Sequence, residues 1–271
     1  MSEITLNNGM KLYYEDAGSG HPVILMHGWT SNHEIYTEPM QQLRKKARCI
    51  AYDHRGHGGS KDANRESVTM DTLASDLNEL ITGLGLSDVT LLGWSMGAGV
   101  AMNYVRNYGC GALRQIVLCD MTPKQLNDDS WKLGLYQGKY TQQDMAEDAG
   151  KDFLTLYQSF AIGAMPKLRK MPGFLLRPIL KKRLRKCDSN VLISLSKSMK
   201  SQDFRDAIGK ITVPLTYFYA EPGSLFSPAL KDWYTENANV PVKTVPFADS
   251  SHMFISEHPE QFAQELEKLL P

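Results

Sequence analysis

The chain has 271 residues, which is near the upper limit for one hydrophobic core, so we expect one domain with a sizeable insertion rather than two equal domains. Thirty basic residues balance thirty acidic ones, which argues against a nucleic-acid-binding protein. Four scattered cysteines fit neither a disulfide scaffold nor a zinc site. The chain begins without an apolar signal-peptide core, and no stretch is apolar enough to span a membrane, so we expect a soluble, cytoplasmic protein.

Strands and helices alternate through the first part of the chain. Residues 4–14 follow an apolar period of two around an Asn7-Asn8-Gly9 turn, which predicts a hairpin. This alternation predicts an α/β protein with a mostly parallel sheet and helices on both faces. The predicted strands are 23–26, 48–52, 89–92 and 113–119, and the predicted helices are 37–46, 69–84 and 96–108.

The alternation stops after Asp120. Residues 122–208 contain no convincing strand, only helical pieces interrupted by prolines. The sequence therefore predicts a helical insertion after the sixth strand, with a core built from residues 1–121 and 209–271. Strand patterns return at 213–220 and 240–246, and a closing helix is predicted at 258–270.

The strongest chemical signal is Gly-Trp-Ser-Met-Gly at 93–97, a G-x-S-x-G pattern between a predicted strand and a predicted helix. Such a turn holds Ser95 in a strained backbone conformation, and Gly93 and Gly97 leave room where side chains would collide. The turn lifts the hydroxyl above the sheet edge and directs a helix N-terminus at the reaction centre. We therefore predict Ser95 as a nucleophile.

A serine hydroxyl is a weak nucleophile without a base. His252 lies between a predicted strand and the last helix, and its place after Ser95 in chain order favours it as that base. His27 and His54 belong to other motifs. The remaining histidines are interpreted as loop or surface residues: His21, His33, His57 and His258.

A reaction through an oxyanion also needs hydrogen-bond donors. His27-Gly28-Trp29 follows a buried strand, where a sharp turn can expose a backbone N–H. The backbone N–H groups of Trp29 and Met96 are the predicted donors, since Met96 directly follows the nucleophile.

Taken together, these motifs resemble the α/β-hydrolase-fold superfamily over nearly the whole chain. The resemblance implies an eight-stranded sheet, with residues 122–208 as a lid or cap and the 53–60 loop in a structural role. The most similar-looking members are small esterases, lactonases and cofactor-free haloperoxidase-like hydrolases, so we expect no cofactor and no metal. The matching segments, in order, are HGW at 27–29, DHRGHGGS at 53–60, GWSMGAG at 93–99, and His252 followed by EHPEQF.

One departure concerns the triad acid, which most relatives carry after the seventh strand in a G-x-x-D pattern. Here that aspartate position reads Gly223. Asp120, at the end of the sixth strand, can approach the same imidazole because neighbouring strands lie only about 4.8 Å apart. Some family members place the acid there. Asp120 is therefore the predicted triad acid. Asp120 could instead only cap the following turn. In that case the acid would be Glu221 or Asp249, or the site would have no acid.

These residues predict a serine hydrolase that cleaves a carboxylic ester of a small molecule through an acyl-enzyme. A serine nucleophile excludes the dehalogenase and epoxide hydrolase reactions of this fold, which use an aspartate. Thioester, lactone or carbon–carbon hydrolysis would use the same machinery. A non-catalytic ligand-binding protein of the same fold is the alternative from another class. The oligomeric state stays open.

The predicted insertion contains an unusual run of charge. Residues 167–186 hold five lysines and four arginines without one acid, interleaved with apolar side chains. Such a segment could attract an anionic or lipid-like substrate, or lie on an acidic membrane surface. It could equally be a solvated outer face of a cap whose apolar side covers the site.

Overall fold

The computed structural model describes residues 2–61, 67–223 and 225–271, and its centre is one eight-stranded sheet in the order β1-β2-β4-β3-β5-β6-β7-β8. β1 and β2 pair antiparallel, and β2 is antiparallel to β4. The other six strands, in the sheet order β4-β3-β5-β6-β7-β8, are parallel to one another. The predicted hairpin and mostly parallel sheet are therefore confirmed. The strands are β1 (Ser2–Thr5), β2 (Lys11–Ala17), β3 (Pro22–Met26), β4 (Arg48–Tyr52), β5 (Val89–Trp94), β6 (Leu113–Cys119), β7 (Leu215–Pro222) and β8 (Val242–Ser250).

Helices cover both faces of this sheet. No helix in the described ranges is long and apolar enough to cross a membrane. Short 3-10 helices occur at 33–36, 58–60 and 166–170. The α-helices are α1 (Thr37–Leu43), α2 (Met70–Gly83), α3 (Met96–Tyr108), α4 (Leu135–Gly138), α5 (Gln142–Asp148), α6 (Phe153–Ala164), α7 (Gly173–Leu184), α8 (Ser189–Ser201), α9 (Arg205–Ile208), α10 (Leu230–Asn237), α11 (Phe254–Glu257) and α12 (Pro259–Glu267).

The core consists of two apolar layers separated by the sheet. Successive residues of a strand point to opposite faces, so Leu91 of β5 packs in one layer and Leu92 in the other. α2 and α3 fill the first layer, whereas α1 and α12 fill the second. β5 is buried along its whole length, as expected for a strand covered on both faces.

A buried ion pair fixes the loop after β4 against α2. The Arg55 guanidinium donates to both carboxylate oxygens of Asp76, at 3.0 and 2.6 Å, and both side chains are almost fully buried. Burial raises the pKa of Asp76, and the arginine opposes that rise. In the same loop, Asp53 accepts from the backbone of Gly59 and His33. These contacts agree with a structural role for the 53–60 loop.

All described residues from 120 to 214 form helices, turns and isolated bridges, with no strand among them. α4 to α9 therefore lie between β6 and β7, as a helical insertion after the sixth strand requires. α8 contacts α2, and the Trp29 indole N–H donates to the Leu192 carbonyl of α8 at 3.0 Å. The insertion thus packs on the end of the sheet where β3 and β5 finish.

Candidate active site

Ser95 lies in the sharp turn between β5 and α3. Its φ of 55° and ψ of −121° form a strained conformation for a residue with a side chain. A Cβ added to Gly93 would lie 2.3 Å from the carbonyl carbon of Gly97, and one added to Gly97 would lie 2.3 Å from the Met26 carbonyl oxygen. The turn therefore closes only with glycine at both positions, as the pentapeptide predicts.

A continuous hydrogen-bonded chain starts at the Ser95 hydroxyl. His252 Nε2 lies 2.9 Å from Ser95 Oγ, and His252 Nδ1 lies 2.7 Å from Asp120 Oδ2. The three residues are 6%, 1% and 2% exposed, respectively, so water does not compete for these bonds. With a carboxylate accepting from Nδ1–H, Nε2 keeps a lone pair directed at the hydroxyl.

Parallel strands bring these residues together at their carboxyl ends. Asp120 directly follows β6 with a φ of 45°, and its backbone N–H donates to the Phe218 carbonyl of β7 at 2.8 Å. His252 follows β8, and its carbonyl accepts from the Trp94 indole N–H at 2.9 Å. The carboxylate and the imidazole are therefore each held by the sheet, one strand to either side of β7.

The two other acids considered from the sequence lie elsewhere. Glu221 and Asp249 are both exposed, and neither hydrogen-bonds to His252 within the described part of the chain. Gly223, at the position where relatives carry an aspartate, has a φ of 141° that disfavours any side chain. The geometry thus brings Asp120, and neither of the two alternatives, to the imidazole.

The loop after β3 lies directly against the nucleophile. A Cβ on Gly28 would be 3.0 Å from Ser95 Cβ and 3.0 Å from the Trp94 ring. The buried His27 imidazole shapes the loop, since His27 Nδ1 lies 2.8 Å from the Gly28 carbonyl and Nε2 accepts from the His54 backbone N–H at 3.0 Å. In the described ranges, neither the Trp29 nor the Met96 backbone N–H donates to another protein group.

Three buried histidines support this loop from below, and one of them corrects the sequence interpretation. His57, interpreted from the sequence as a loop or surface residue, does lie in a loop, but it is fully buried beside His27 and His54. The insertion covers it, since the Gly58 N–H donates to the Lys186 carbonyl at 2.8 Å. Burial lowers the pKa of His54 to about 3 and of His57 to about 4, and lowers that of His27 well below its ordinary value.

An aromatic cluster from the insertion surrounds the reactive groups. Phe160 of α6 packs edge-on against the Trp29 ring at 5.2 Å and the His252 ring at 6.5 Å. Phe226 lies 5.9 Å from the same imidazole. Sequence reasoning missed these residues, although Phe153, Tyr157 and Phe160 recur at a helical spacing that predicts one shared face.

Two cavities meet at Ser95. The larger, of about 600 Å³, is lined by both Ser95 and His252 and extends outward between α7 and the 30–39 loop. The smaller, of about 300 Å³, is lined by Ser95 but not by His252, and extends between α6 and α8. Trp29 and Phe160 line both cavities, so these two rings divide them. No group of His, Cys, Asp or Glu in the described ranges is arranged to hold a metal ion.

Comparison with known proteins agrees with this geometry. The model of the alpha/beta hydrolase fold family matches residues 21–265. An esterase from Exiguobacterium antarcticum superposes with a TM-score of 0.84 at 27% identity, covering 99% of this chain and 98% of that chain. The AB hydrolase superfamily protein YisY of Bacillus subtilis is 28% identical, over 92% of this chain and 91% of that protein.

A further relative matches a shorter region more closely. The non-heme chloroperoxidase CPO-A1 of Kitasatospora aureofaciens is 40% identical over 120 residues, which are 44% of this chain and 43% of that protein. The chain therefore belongs to the alpha/beta hydrolase fold family, and it is an enzyme of the hydrolase class.

The buried histidines predict a defined loss of stability in acid. Unfolded His54 titrates near its reference pKa of about 6.5, whereas the folded side chain stays neutral down to a pKa of about 3. The unfolded state therefore binds a proton that the folded state does not, and the free energy of unfolding falls as the pH drops below about 6.5. At pH 5 this amounts to about 2 kcal/mol for His54 alone.

Replacing His54 by phenylalanine tests this expectation, since neither ring nitrogen of His54 has a hydrogen-bond partner within the described residues. Urea unfolding at pH 7 and pH 5 should show a fall in stability about 2 kcal/mol smaller in His54→Phe than in the wild type. An identical fall in both proteins would mean that His54 is protonated in the folded state.

Proposed function

We propose that this protein is a serine hydrolase that cleaves carboxylic esters through an acyl-enzyme. The observation that carries the proposal is the buried chain of hydrogen bonds from Ser95 through His252 to Asp120, which opens onto two cavities. Similarity to the Exiguobacterium esterase over nearly the whole chain favours the ester class.

In the first half of the reaction, the Ser95 oxygen forms a bond to the ester carbonyl carbon while its proton moves to His252 Nε2. The carbonyl oxygen becomes an oxyanion. The backbone N–H groups of Trp29 and Met96 hold it, because neither donates to another group among the described residues and both lie beside the nucleophile. Met96 is also the first residue of α3, whose N-terminus favours negative charge.

The imidazolium then gives its proton to the leaving oxygen as the carbon–oxygen bond breaks, and the alcohol departs. Water repeats the sequence in the second half, with His252 removing its proton and returning that proton to Ser95 as the acid is released. Asp120 orients the ring through Nδ1 and stabilises its positive charge in both halves. Burial of the ion pair makes that stabilisation larger than it would be in water.

The position of His252 indicates which cavity binds the alcohol half of the ester and which binds the acyl half. A general acid must reach the leaving oxygen within hydrogen-bond distance, so the alcohol half lies on the side of the imidazole. That side is the larger cavity, which opens outward and can take a bulky alcohol. The acyl half then enters the smaller cavity, where Leu135, Met199 and Phe226 supply apolar lining.

Residues 122–208 act as a cap in this proposal, above a core of residues 1–121 and 209–271. The Phe160 ring covers one side of the imidazole, and α6 and α8 form walls of the acyl cavity. Thioesters, lactones and carbon–carbon bonds would react through the same groups. The other alternative from the sequence, a protein that only binds ligands, is inconsistent with the hydrolase class to which the chain belongs.

The Ser95→Ala variant tests the mechanism directly. Deleting one hydroxyl should keep the fold and reduce turnover of aryl esters by at least about 10⁴-fold. His252→Ala should be similarly inactive, and the double variant little worse than either, since the two residues act as a unit. Thermal unfolding of each variant checks that the fold is kept.

The matched control is Ser256→Ala, which removes an exposed hydroxyl from the same cavity and should reduce turnover less than about tenfold. Full activity in Ser95→Ala would refute the mechanism.

A pair of isosteric variants tests the acid. Asp120→Asn removes the charge that stabilises the imidazolium and presents an N–H to the ring, which favours the wrong tautomer. Turnover should fall by about a hundredfold to about 10⁴-fold. Glu221→Gln should lose less than about tenfold, because that carboxylate is exposed and makes no bond to His252. The reverse order of losses would move the acid to the end of β7.

Two further variants test the cavity assignment. Ser196→Leu narrows the smaller cavity and Ala164→Leu narrows the larger one. Ser196→Leu should lower kcat/KM for long acyl chains about tenfold more than for acetates of the same alcohol. Ala164→Leu should instead lower kcat/KM for esters of bulky alcohols more than for esters of small alcohols with the same acyl group. An exchange of these two patterns would reverse the assignment while leaving the serine mechanism intact.

A further inference from the structure

α7 presents apolar side chains to solvent on the outside of the insertion. Leu176 and Leu180 are each 1% exposed and anchor the helix inward. On the opposite side, Phe174 is 76% exposed, and Leu175 and Ile179 are each 50% exposed. Large apolar side chains clustered in this way mark an interaction surface rather than ordinary scatter.

The same outward side carries positive charge. Phe174, Arg177 and Lys181 are spaced i, i+3 and i+7, so they share one flank of the exposed side of the helix, and Leu175 and Ile179 lie on its other flank. These five residues form what we call the α7 face. Residues 167–186 around it hold nine cations and no acid. Of these cations, Lys186 is paired with a core carboxylate, that of Glu34, at 2.6 Å.

We propose that the α7 face docks on the surface of an anionic phospholipid bilayer. Anionic headgroups complement the excess of lysines and arginines in residues 167–186, and the three apolar side chains enter the boundary between headgroups and acyl chains. Docking is a property of the cap surface and does not depend on Ser95.

Charge and composition favour a bilayer over the other occupants of such a face. A symmetric dimer through this face would bring cations against cations, which repel. An acidic polypeptide would satisfy the charges but would leave three large apolar side chains to be matched by specific pockets. A bilayer supplies both chemistries at once and requires no shaped partner.

Docking would also orient the active site. Ile179 lines the outer part of the larger cavity, together with Lys182 and Arg183 of the same helix. Docking through α7 would therefore bring this part of the cavity close to the bilayer surface. Esters of limited water solubility could then enter from the lipid side.

Co-sedimentation with vesicles tests the proposal on the full chain. The wild type should bind vesicles of phosphatidylserine and phosphatidylcholine but not vesicles of phosphatidylcholine alone, and binding should weaken as salt screens the charges. The Lys170→Gln/Arg177→Gln/Lys181→Gln variant should bind about a hundredfold less tightly, since each cation near such a surface contributes about fivefold. Phe174→Ser/Leu175→Ser should also bind less tightly, and that loss should persist at high salt.

The matched control is Arg44→Gln/Lys45→Gln/Lys46→Gln, which removes the same charge from exposed positions after α1. It should bind like the wild type. An equal loss in the control would show attraction to total charge only, and no binding to the mixed vesicles would overturn the proposal. Retention on immobilised polyglutamate without vesicle binding would assign the face to an acidic polypeptide instead. Esterase assays are not used, so failure here leaves the proposed reaction untouched.

Discussion

The hydrogen bond between Asp120 and His252 spans the strand that separates them, and the geometry of the site depends on it. The carboxylate follows β6 and the imidazole follows β8, with β7 between them. The backbone of Asp120 is fixed by a bond to β7, so the carboxylate cannot follow the ring if the ring moves. A 2.7 Å bond between such anchored groups sets the tautomer and directs Nε2 at Ser95.

Burial makes this arrangement effective. Two phenyl rings flank the imidazole, and the Trp94 indole holds its backbone carbonyl. These contacts leave the imidazole almost fully buried, which strengthens its electrostatic interaction with Asp120. The same packing divides the space above Ser95 into two cavities of unequal size. In the proposed reaction, the Phe160 ring therefore has two roles, since it packs against the imidazole and also separates the two substrate cavities.

Much of the fold follows from local patterns in the sequence. Periodicity predicted the eight strands and four helices of the core, namely α1, α2, α3 and α12, to within about four residues; for example, the predicted helix 258–270 spans Pro259–Glu267. It missed two short core helices, α10 and α11. The turn at Ser95 was also predictable, because its glycines and flanking elements are adjacent in the chain. Asp120 required one inference across strands. The spacing of neighbouring strands allowed a carboxylate after β6 to reach the imidazole after β8. Spacing alone could not exclude Glu221 as the acid.

Other features depend on contacts between distant segments, and the sequence pattern does not contain them. His57 is buried because residue 186 of the insertion covers its loop, and no local pattern around residue 57 reports that contact. Phe160 reaches the imidazole only through the packing of α6. The exposed side of α7 contradicts a simple expectation that its apolar residues all point inward. The packing of the helical insertion decides each of these cases.

The most direct test of the account is the site of covalent modification by a fluorophosphonate, which reacts with serines activated by a neighbouring base. Peptide mapping by mass spectrometry should find one equivalent of adduct on the peptide containing Ser95, with ester hydrolysis lost in proportion to labelling. An unlabelled Ser95 in a protein that still hydrolyses esters, or loss of activity with the adduct on another residue, would contradict the account.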